Sequence, residues 1–236
     1  MIKSDQPTIF NKNIIAAVSS AVDGNMKFGI NDNEDVLRNR RAFLRKAGVD
    51  LEHTTLVPVT YDTDDFLRYK ILSKEHKSGS MHGFDSLGFA ADGLVVDQPN
   101  HALFLPLADC VGAVIHDPIN HVLMLSHLGR HSTEVNGGVK SIEYLQKHFT
   151  VNLKDIRVWL SPAVGNATYR LHKFEGKSLH DVLRAQFLEA GIEEDHLEIS
   201  EVDTAQDDNY FSHSQHRKRG LPGLSSRFAV VAMMRD

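Results

Sequence analysis

The residues able to do chemistry cluster between positions 108 and 131. Cys110 is the single cysteine, and it directly precedes the apolar run 111–115. His127 follows the apolar run 122–125. Between the runs stands Asp117-Pro118-Ile119-Asn120, whose residue types suit a hairpin turn. Pairing the runs about that turn puts Cys110 and His127 at the same end, separated by roughly the ~5 Å inter-strand spacing. Thiolate and imidazole so placed support two chemistries. They can be two ligands of zinc or copper in a site with positions left open for water and substrate. They can equally be a nucleophile and its base. A lone cysteine is also commonly a small buried hydrophobe, so spacing alone leaves these readings open.

The flanking sequence supplies elements to hold this segment. Residues 14–18 form a short β-compatible run. Asn33 is placed to cap a helix over 33–48, with Glu34 and Asp35 at its positive end, an apolar stripe of Val36, Leu37, Phe43 and Leu44, and Gly48 as the stop. Residues 54–59 and 101–105 read as strands, separated from each other by a turn at Asp97-Gln98-Pro99-Asn100. Residues 139–149 carry helical spacing through Val139, Ile142, Leu145 and Phe149. A strand is predicted over 156–160. A helix is predicted over 178–190, with Ser178 and Asp181 spaced as a capping box and Gly191 as its stop. Strands over 197–202 and 228–233 follow. Strands and helices mix without a βαβ rhythm, which predicts a layered α/β or α+β domain rather than a doubly wound nucleotide fold. The stretches 77–83 and 219–226 read as loops, so residues 1–236 are predicted to form one domain.

Composition narrows the partners. With 236 residues, 42% hydrophobic and 24% charged, the chain can bury a substantial single core. Lys plus Arg total 26 against 31 Asp plus Glu, and the resulting net charge of −5 argues against nucleic acid as a partner. One cysteine excludes an internal disulfide and a cysteine-rich zinc module. The polar start over 1–13 lacks an apolar signal core, and no run is long enough to span a bilayer, so a cytoplasmic protein without a membrane partner is predicted. Gly176-Lys177-Ser178 ends like a phosphate-binding loop, but Leu171 stands where that loop needs its first glycine. Dinucleotide, zincin and serine-elbow motifs are absent.

Several short motifs resemble one family in order along the chain. Ala91-Asp92-Gly93-Leu94-Val95, Leu107-Ala108-Asp109-Cys110, Asp117-Pro118 and His127-Leu128-Gly129 resemble the A-D-[AG]-L-V, T-A-D-C, D-P and H-A-G-W-R elements of the multicopper polyphenol oxidase, or laccase-domain, family of purine nucleoside phosphorylases. Asn39-Arg40 resembles part of its N-terminal helix, and Ser161-Pro162-Ala163-Val164-Gly165 resembles its G-P-x-I-G loop. Asp203-Thr204, Tyr210-Phe211-Ser212 and Arg227-Phe228 are similar to its C-terminal elements.

The resemblance implies a single layered α/β/β/α domain with mixed sheets. It implies a divalent metal, zinc or alternatively copper, held by His, Cys and His. Cys110 and His127 match two of those positions, and His82 of His82-Gly83 is the candidate for the third. Asp109 is implied as a catalytic-site group orienting a ligand. Arg40, Arg130, His131 and Arg227 are the implied substrate and phosphate side chains. The implied substrates are a purine nucleoside (adenosine, inosine, guanosine or methylthioadenosine) and phosphate, with adenosine deamination as a side reaction.

The sequence also departs from the pattern. Tyr61, in Val57-Pro58-Val59-Thr60-Tyr61-Asp62, falls near the position of the family's first histidine ligand. That leaves His82, His76 and His131 as alternatives for the third ligand, or no third ligand at all. Arg130-His131 replaces the W-R pair, and Ala167-Thr168 and Asp203 stand at family cysteine positions. His213 and His216, with Arg217, are candidates for a basic rim. His53, His101, His121, His148 and His196 fall at element ends and are expected at the surface. Three functions follow: a metal-dependent purine nucleoside phosphorylase, a metal-free Cys–His hydrolase or deamidase, and a non-catalytic binding protein of the same fold.

Overall fold

The seven-residue strand β10 (Phe228–Met234) is apolar at every position, so both of its faces must be covered. Phe228, Val230, Ala232 and Met234 point into one core, and Ala229, Val231 and Met233 into another. The computed structural model, which describes residues 1–29, 33–73 and 88–236, builds its layers around this division.

The strand sits in a four-stranded sheet of order β1-β10-β5-β2, with β1 (Ile14–Val18), β5 (Ala102–Leu107) and β2 (Thr54–Leu56). A six-stranded sheet runs β3-β4-β7-β6-β8-β9, from β3 (Tyr69–Ile71) and β4 (Gly93–Val96) through β7 (Val122–Leu128) and β6 (Val111–Asp117) to β8 (Arg157–Leu160) and β9 (Leu197–Ile199). Both sheets are mixed: β2 with β5, β3 with β4, and β8 with β9 pair in parallel, and the remaining neighbours are antiparallel. Leu103, Leu105, Leu123, Leu125 and Trp159 join β10 in the core between the sheets. A fully buried side chain of this kind contributes about 1.5–3 kcal/mol.

Helix α1 (Asn33–Ala47) lays Phe43 and Leu44 on the outer face of the smaller sheet, where Phe43 meets Phe104. The short α2 (Arg130–Glu134) follows β7. Helices α3 (Gly137–His148) and α4 (Leu179–Glu189) cover the larger sheet through Ile142, Leu145, Val182, Leu183 and Phe187. The short α5 (His213–Lys218) lies near the C-terminal end. The result is the four-layer α/β/β/α arrangement expected from the sequence. Among the described residues, no helix is long and apolar enough to cross a membrane.

Most element boundaries agree with the sequence reading, including the reciprocal Ser178–Asp181 cap of α4 and the left-handed Gly191 beyond it. The strand predicted over 54–59 stops at Leu56, because Pro58 has no N–H to extend a ladder. Strand β3 was not predicted, since three residues with Lys70 at the centre carry no period. The candidate basic rim of His213, His216 and Arg217 lies on helix α5, which was not predicted and which Ser212 caps, its Oγ accepting from Gln215 N. His101, expected at the surface, is buried with Nε2 2.8 Å from Thr55 Oγ1. The loop expected over 77–83 lies outside the described residues.

Candidate active site

The β6–β7 hairpin forms as predicted, with Gly112 opposite His127 and Val111 opposite Leu128. Its turn is held by Asp117, whose carboxylate accepts from Ile119 N, Asn120 N and Asn120 Nδ2. That register carries Cys110, one residue before β6, across from Gly129, one residue past β7. A Cβ placed on Gly129 would have Cys110 Sγ and His127 Cε1 as its nearest neighbours, with His127 Nε2 at 3.7 Å. Thiol and imidazole edge therefore converge on one glycine.

Two carboxylates brace this pair. Asp109 adopts the left-handed region at φ 81°, where an Asp is better tolerated than a branched residue. Its oxygens accept from Thr204 Oγ1 at 2.8 Å and Ser214 N at 2.6 Å, and its carbonyl accepts from Val164 N. Asp109 thus ties three segments to the residue before Cys110. Asp92 carries the other brace. Its carbonyl accepts from His127 N at 2.7 Å, and its carboxylate takes Arg68 Nε at 2.7 Å and Arg68 Nη2 at 3.0 Å. Arg68 in turn donates to Thr60 Oγ1 and Thr60 O. The segment bearing Tyr61 and Phe66 is thereby clamped beside the strand bearing His127.

Cys110 and His127 line a cleft of about 450 Å³, within the range of small-ligand sites. One wall is aromatic. Phe66 stacks on His131 with centroids 4.4 Å apart, and Tyr61 stands edge-on to His127 at 6.3 Å. The lining also carries the cations Arg227, Arg217 and Lys27. A second hollow of about 290 Å³ shares Lys27, Tyr61, His127 and Arg227 with the first and adds Arg40.

Burial pushes the Cys110 thiol up to about 11, with Arg227 opposing the shift and Asp109 adding to it. Burial lowers His127 to about 4, against the pull of Asp92. At neutral pH the pair is a thiol beside a neutral imidazole. The charge of Arg227 reaches Cys110, His127, Tyr61, His213 and Lys27, which places it at the electrostatic centre of the site.

A neutral imidazole beside a cysteine sulfur fits two positions of a zinc or copper site, and catalytic zinc takes three protein ligands. Among the described residues, no third His, Cys, Asp or Glu donor atom joins Cys110 and His127. His131 is engaged elsewhere, stacked on Phe66 with Nε2 3.1 Å from Arg130 Nη2. His82 and His76 lie outside the described residues. The described donors that do lie together, Glu193, Asp195 and His196, belong to the segment leading into β9, and His196 Nδ1 already accepts from Arg157.

The remaining predicted side chains separate. Arg227 lines both hollows. Arg130 lines the main cleft and pairs with Glu134 at 4.0 Å. Arg40 is buried, donates twice to Met26 O and lies over the rings of Phe28 and Phe104, so it borders only the second hollow. Sequence reasoning did not single out Lys27, Phe66 or Arg68, which stand in no motif. Thr204 and Asp92 did stand in quoted motifs, but their bracing roles need the fold.

A layered α/β/β/α domain with a Cys–His pair at the end of a central hairpin, opening into a cationic and aromatic cleft, defines a laccase-domain protein. The chain belongs to the multi-copper polyphenol oxidoreductase laccase family, whose family model matches residues 16–181. It is 24% identical over 169 residues to purine nucleoside phosphorylase YlmD of Bacillus subtilis, a match covering 67% of this chain and 59% of that protein. It is 25% identical over 224 residues to purine nucleoside phosphorylase YlmD of Geobacillus stearothermophilus, covering 84% and 79%. Among solved structures, YlmD from Geobacillus stearothermophilus superimposes with a TM-score of 0.82 at 21% identity, covering 95% of this chain and 93% of that one. The Bacillus licheniformis hypothetical protein YfiH does so with a TM-score of 0.81 at 21% identity, covering 94% and 93%.

Proposed function

We propose that the cleft is the active site of a purine nucleoside phosphorylase. The observation that carries this reading is one cleft that brings together Cys110, His127, the rings of Tyr61 and Phe66 and the positive charge of Arg227. The names of the relatives point the same way. A purine ring stacks on the Tyr61 and Phe66 side, and phosphate faces Arg227, whose guanidinium suits oxyanions. In phosphorolysis a phosphate oxygen bonds to ribose C1′ while the bond from C1′ to the purine breaks. The electron pair leaves with the base, which takes up the proton that phosphate gives up, and the pentose 1-phosphate remains (ribose 1-phosphate, or its 5-methylthio form from methylthioadenosine). Asp109 and Asp92 keep the reacting side chains in register.

Cys110 and His127 are the residues that would hold a divalent cation, with His82 as the third donor the sequence offers. Such an ion, when bound, would supply Lewis-acid polarisation of an oxygen on phosphate or nucleoside. Adenosine, inosine, guanosine and methylthioadenosine are the proposed substrates. The test is chromatography of each nucleoside incubated with protein, with and without phosphate. Free base that appears only with phosphate, and that is lost in Cys110→Ala and His127→Ala, supports the reading. Absence of any base release with added zinc or copper overturns it.

One observation favours a metal-free Cys–His hydrolase: among the described residues, no group of three ligand donors includes Cys110 and His127. Against it stands the raised Cys110 thiol, since a nucleophilic cysteine needs ready access to its thiolate. Inhibition by thiol alkylation but not by chelator would favour the hydrolase.

A further inference from the structure

We propose that Lys27 and Arg227 form a paired-cation seat for inorganic phosphate beside His127, and that Asn25 builds it. As an account of the phosphate co-substrate, the seat rests on the phosphorolytic reading. As a binding site it stands on the geometry below.

Asn25 is buried, and its amide grips both cationic residues by the backbone. Oδ1 accepts from Lys27 N and from Arg227 N, each at 3.0 Å, and Nδ2 donates to Lys27 O at 2.8 Å. Met26 N donates to Arg227 O at 2.9 Å. From behind, α1 secures the same segment: Asn39 Nδ2 donates to Asn25 O, and Arg40 donates to Met26 O. The Asn39-Arg40 pair thus acts on the seat through Asn25 and Met26.

The two cations so fixed border both hollows, which meet at Tyr61 and His127. Burial and the nearby Arg227 charge both lower the affinity of Lys27 for its proton. Among the described residues, neither Lys27 nor Arg227 has an ion-pair partner. Across the two hollows the described lining contains the cations Lys27, Arg40, Arg130, Arg217 and Arg227 and the single carboxylate Asp109, whose oxygens are engaged by Thr204 and Ser214. In a chain of net charge −5, this concentrates positive potential at one place. Like charges held together in a half-buried position disfavour each other, and a dianion between them relieves both. The Arg227 fork can take two oxygens and Lys27 a third. Proximity to His127 favours free phosphate over an ester, because an attacking oxygen has to reach the reacting centre.

The experiment is calorimetric titration of the full chain with inorganic phosphate, and separately with adenosine 5′-monophosphate. Wild type is expected to bind phosphate. Lys27→Met and Arg227→Met should each weaken binding by about tenfold or more, while Lys27→Arg stays within about threefold. Melting curves in phosphate-free buffer identify any variant that fails to fold, and Lys27→Met, at a partly exposed side chain, is expected to melt like wild type. With turnover, Lys27→Met should raise the phosphate KM far more than the nucleoside KM. Wild type that binds no phosphate, Lys27→Met that binds it as wild type does, or binding of the monophosphate alone would each overturn the proposal. Phosphate binding that depends on Lys27 in a protein releasing no base would keep the seat and refute the phosphorylase reading. Phosphorolysis with an unchanged phosphate KM in Lys27→Met would do the reverse.

Discussion

The Cys110 thiol and the His127 ring edge meet across a single glycine: a Cβ on Gly129 would come 2.9 Å from Cys110 Sγ and 3.4 Å from His127 Cε1. Gly129 has an ordinary extended backbone at φ −100°, so alanine is compatible with the chain there. The first atom displaced is the end of the Cys110 side chain, which can turn away. Gly129→Ala should therefore melt within a few degrees of wild type yet lose at least about tenfold in kcat/KM, since small misplacements of reacting groups are costly. Full activity in Gly129→Ala would mean that the convergence of Cys110 and His127 on Gly129 is not used.

Metal content provides a separate check on the same pair. If Cys110 and His127 hold a divalent ion, Cys110→Ala and His127→Ala should each lose stoichiometric zinc or copper, measured by plasma mass spectrometry after gel filtration. Activity should fall by about a hundredfold or more, since an incomplete ligand set forfeits most of a metal's contribution. Wild-type metal content in either variant would remove these residues from the ligand set.

Arg68 and Asp92 form an ion pair that is largely shielded from solvent. Arg68→Ala leaves the Asp92 carboxylate without its partner, and breaking such a pair costs about 3–5 kcal/mol. Urea denaturation should show a loss of that order, and Arg68→Ala/Asp92→Asn should recover part of it. If the double variant were less stable by the sum of the two single losses, the residues would not be coupled.

Asp109 joins a charged acceptor to a left-handed backbone. Asp109→Ala loses hydrogen bonds to Thr204 and Ser214 and places alanine at φ 81°, for an expected loss on the order of 2–4 kcal/mol. Asp109→Asn tolerates the backbone and keeps an acceptor, so it should lose about half as much or less. Equal stability of the two variants would argue that the carboxylate braces nothing.

Acid stability should reveal His116, which is buried in β6. Burial lowers it from 6.5 to about 4, with Asp117 opposing and His121 and Arg157 adding to the shift. Between those values the unfolded chain binds a proton that the folded chain does not. Stability is then fully present above about pH 6.5 and is lost as pH falls toward 4, by on the order of 2–3 kcal/mol. His116→Gln should show a shallower decline in urea midpoint from pH 7 to 4.5 than wild type. An identical decline would show that His116 titrates normally.

The hairpin was legible because its determinants are local. Apolar runs flank Asp117-Pro118-Ile119-Asn120, and once that turn forms, the register sets Cys110 beside His127. The α4 cap was legible for the same reason, since Ser178 and Asp181 satisfy each other within one turn. The family motifs carried the layer order, and a strand apolar at every position, such as β10, has to be covered on both faces. Local pattern could not reveal what reaches the site from elsewhere in the chain. Lys27 stands beside Arg227 only because Asn25 bonds to both across some 200 residues of sequence. Arg68 finds Asp92, and Asp109 finds Thr204 and Ser214, only once the sheets and helices are packed. The sequence by itself determined the chemical pair and the layers that carry it. The charge around that pair, and which carboxylates brace it, were decided by tertiary structure, because electrostatic fields and buried hydrogen bonds depend on distance in space rather than along the chain.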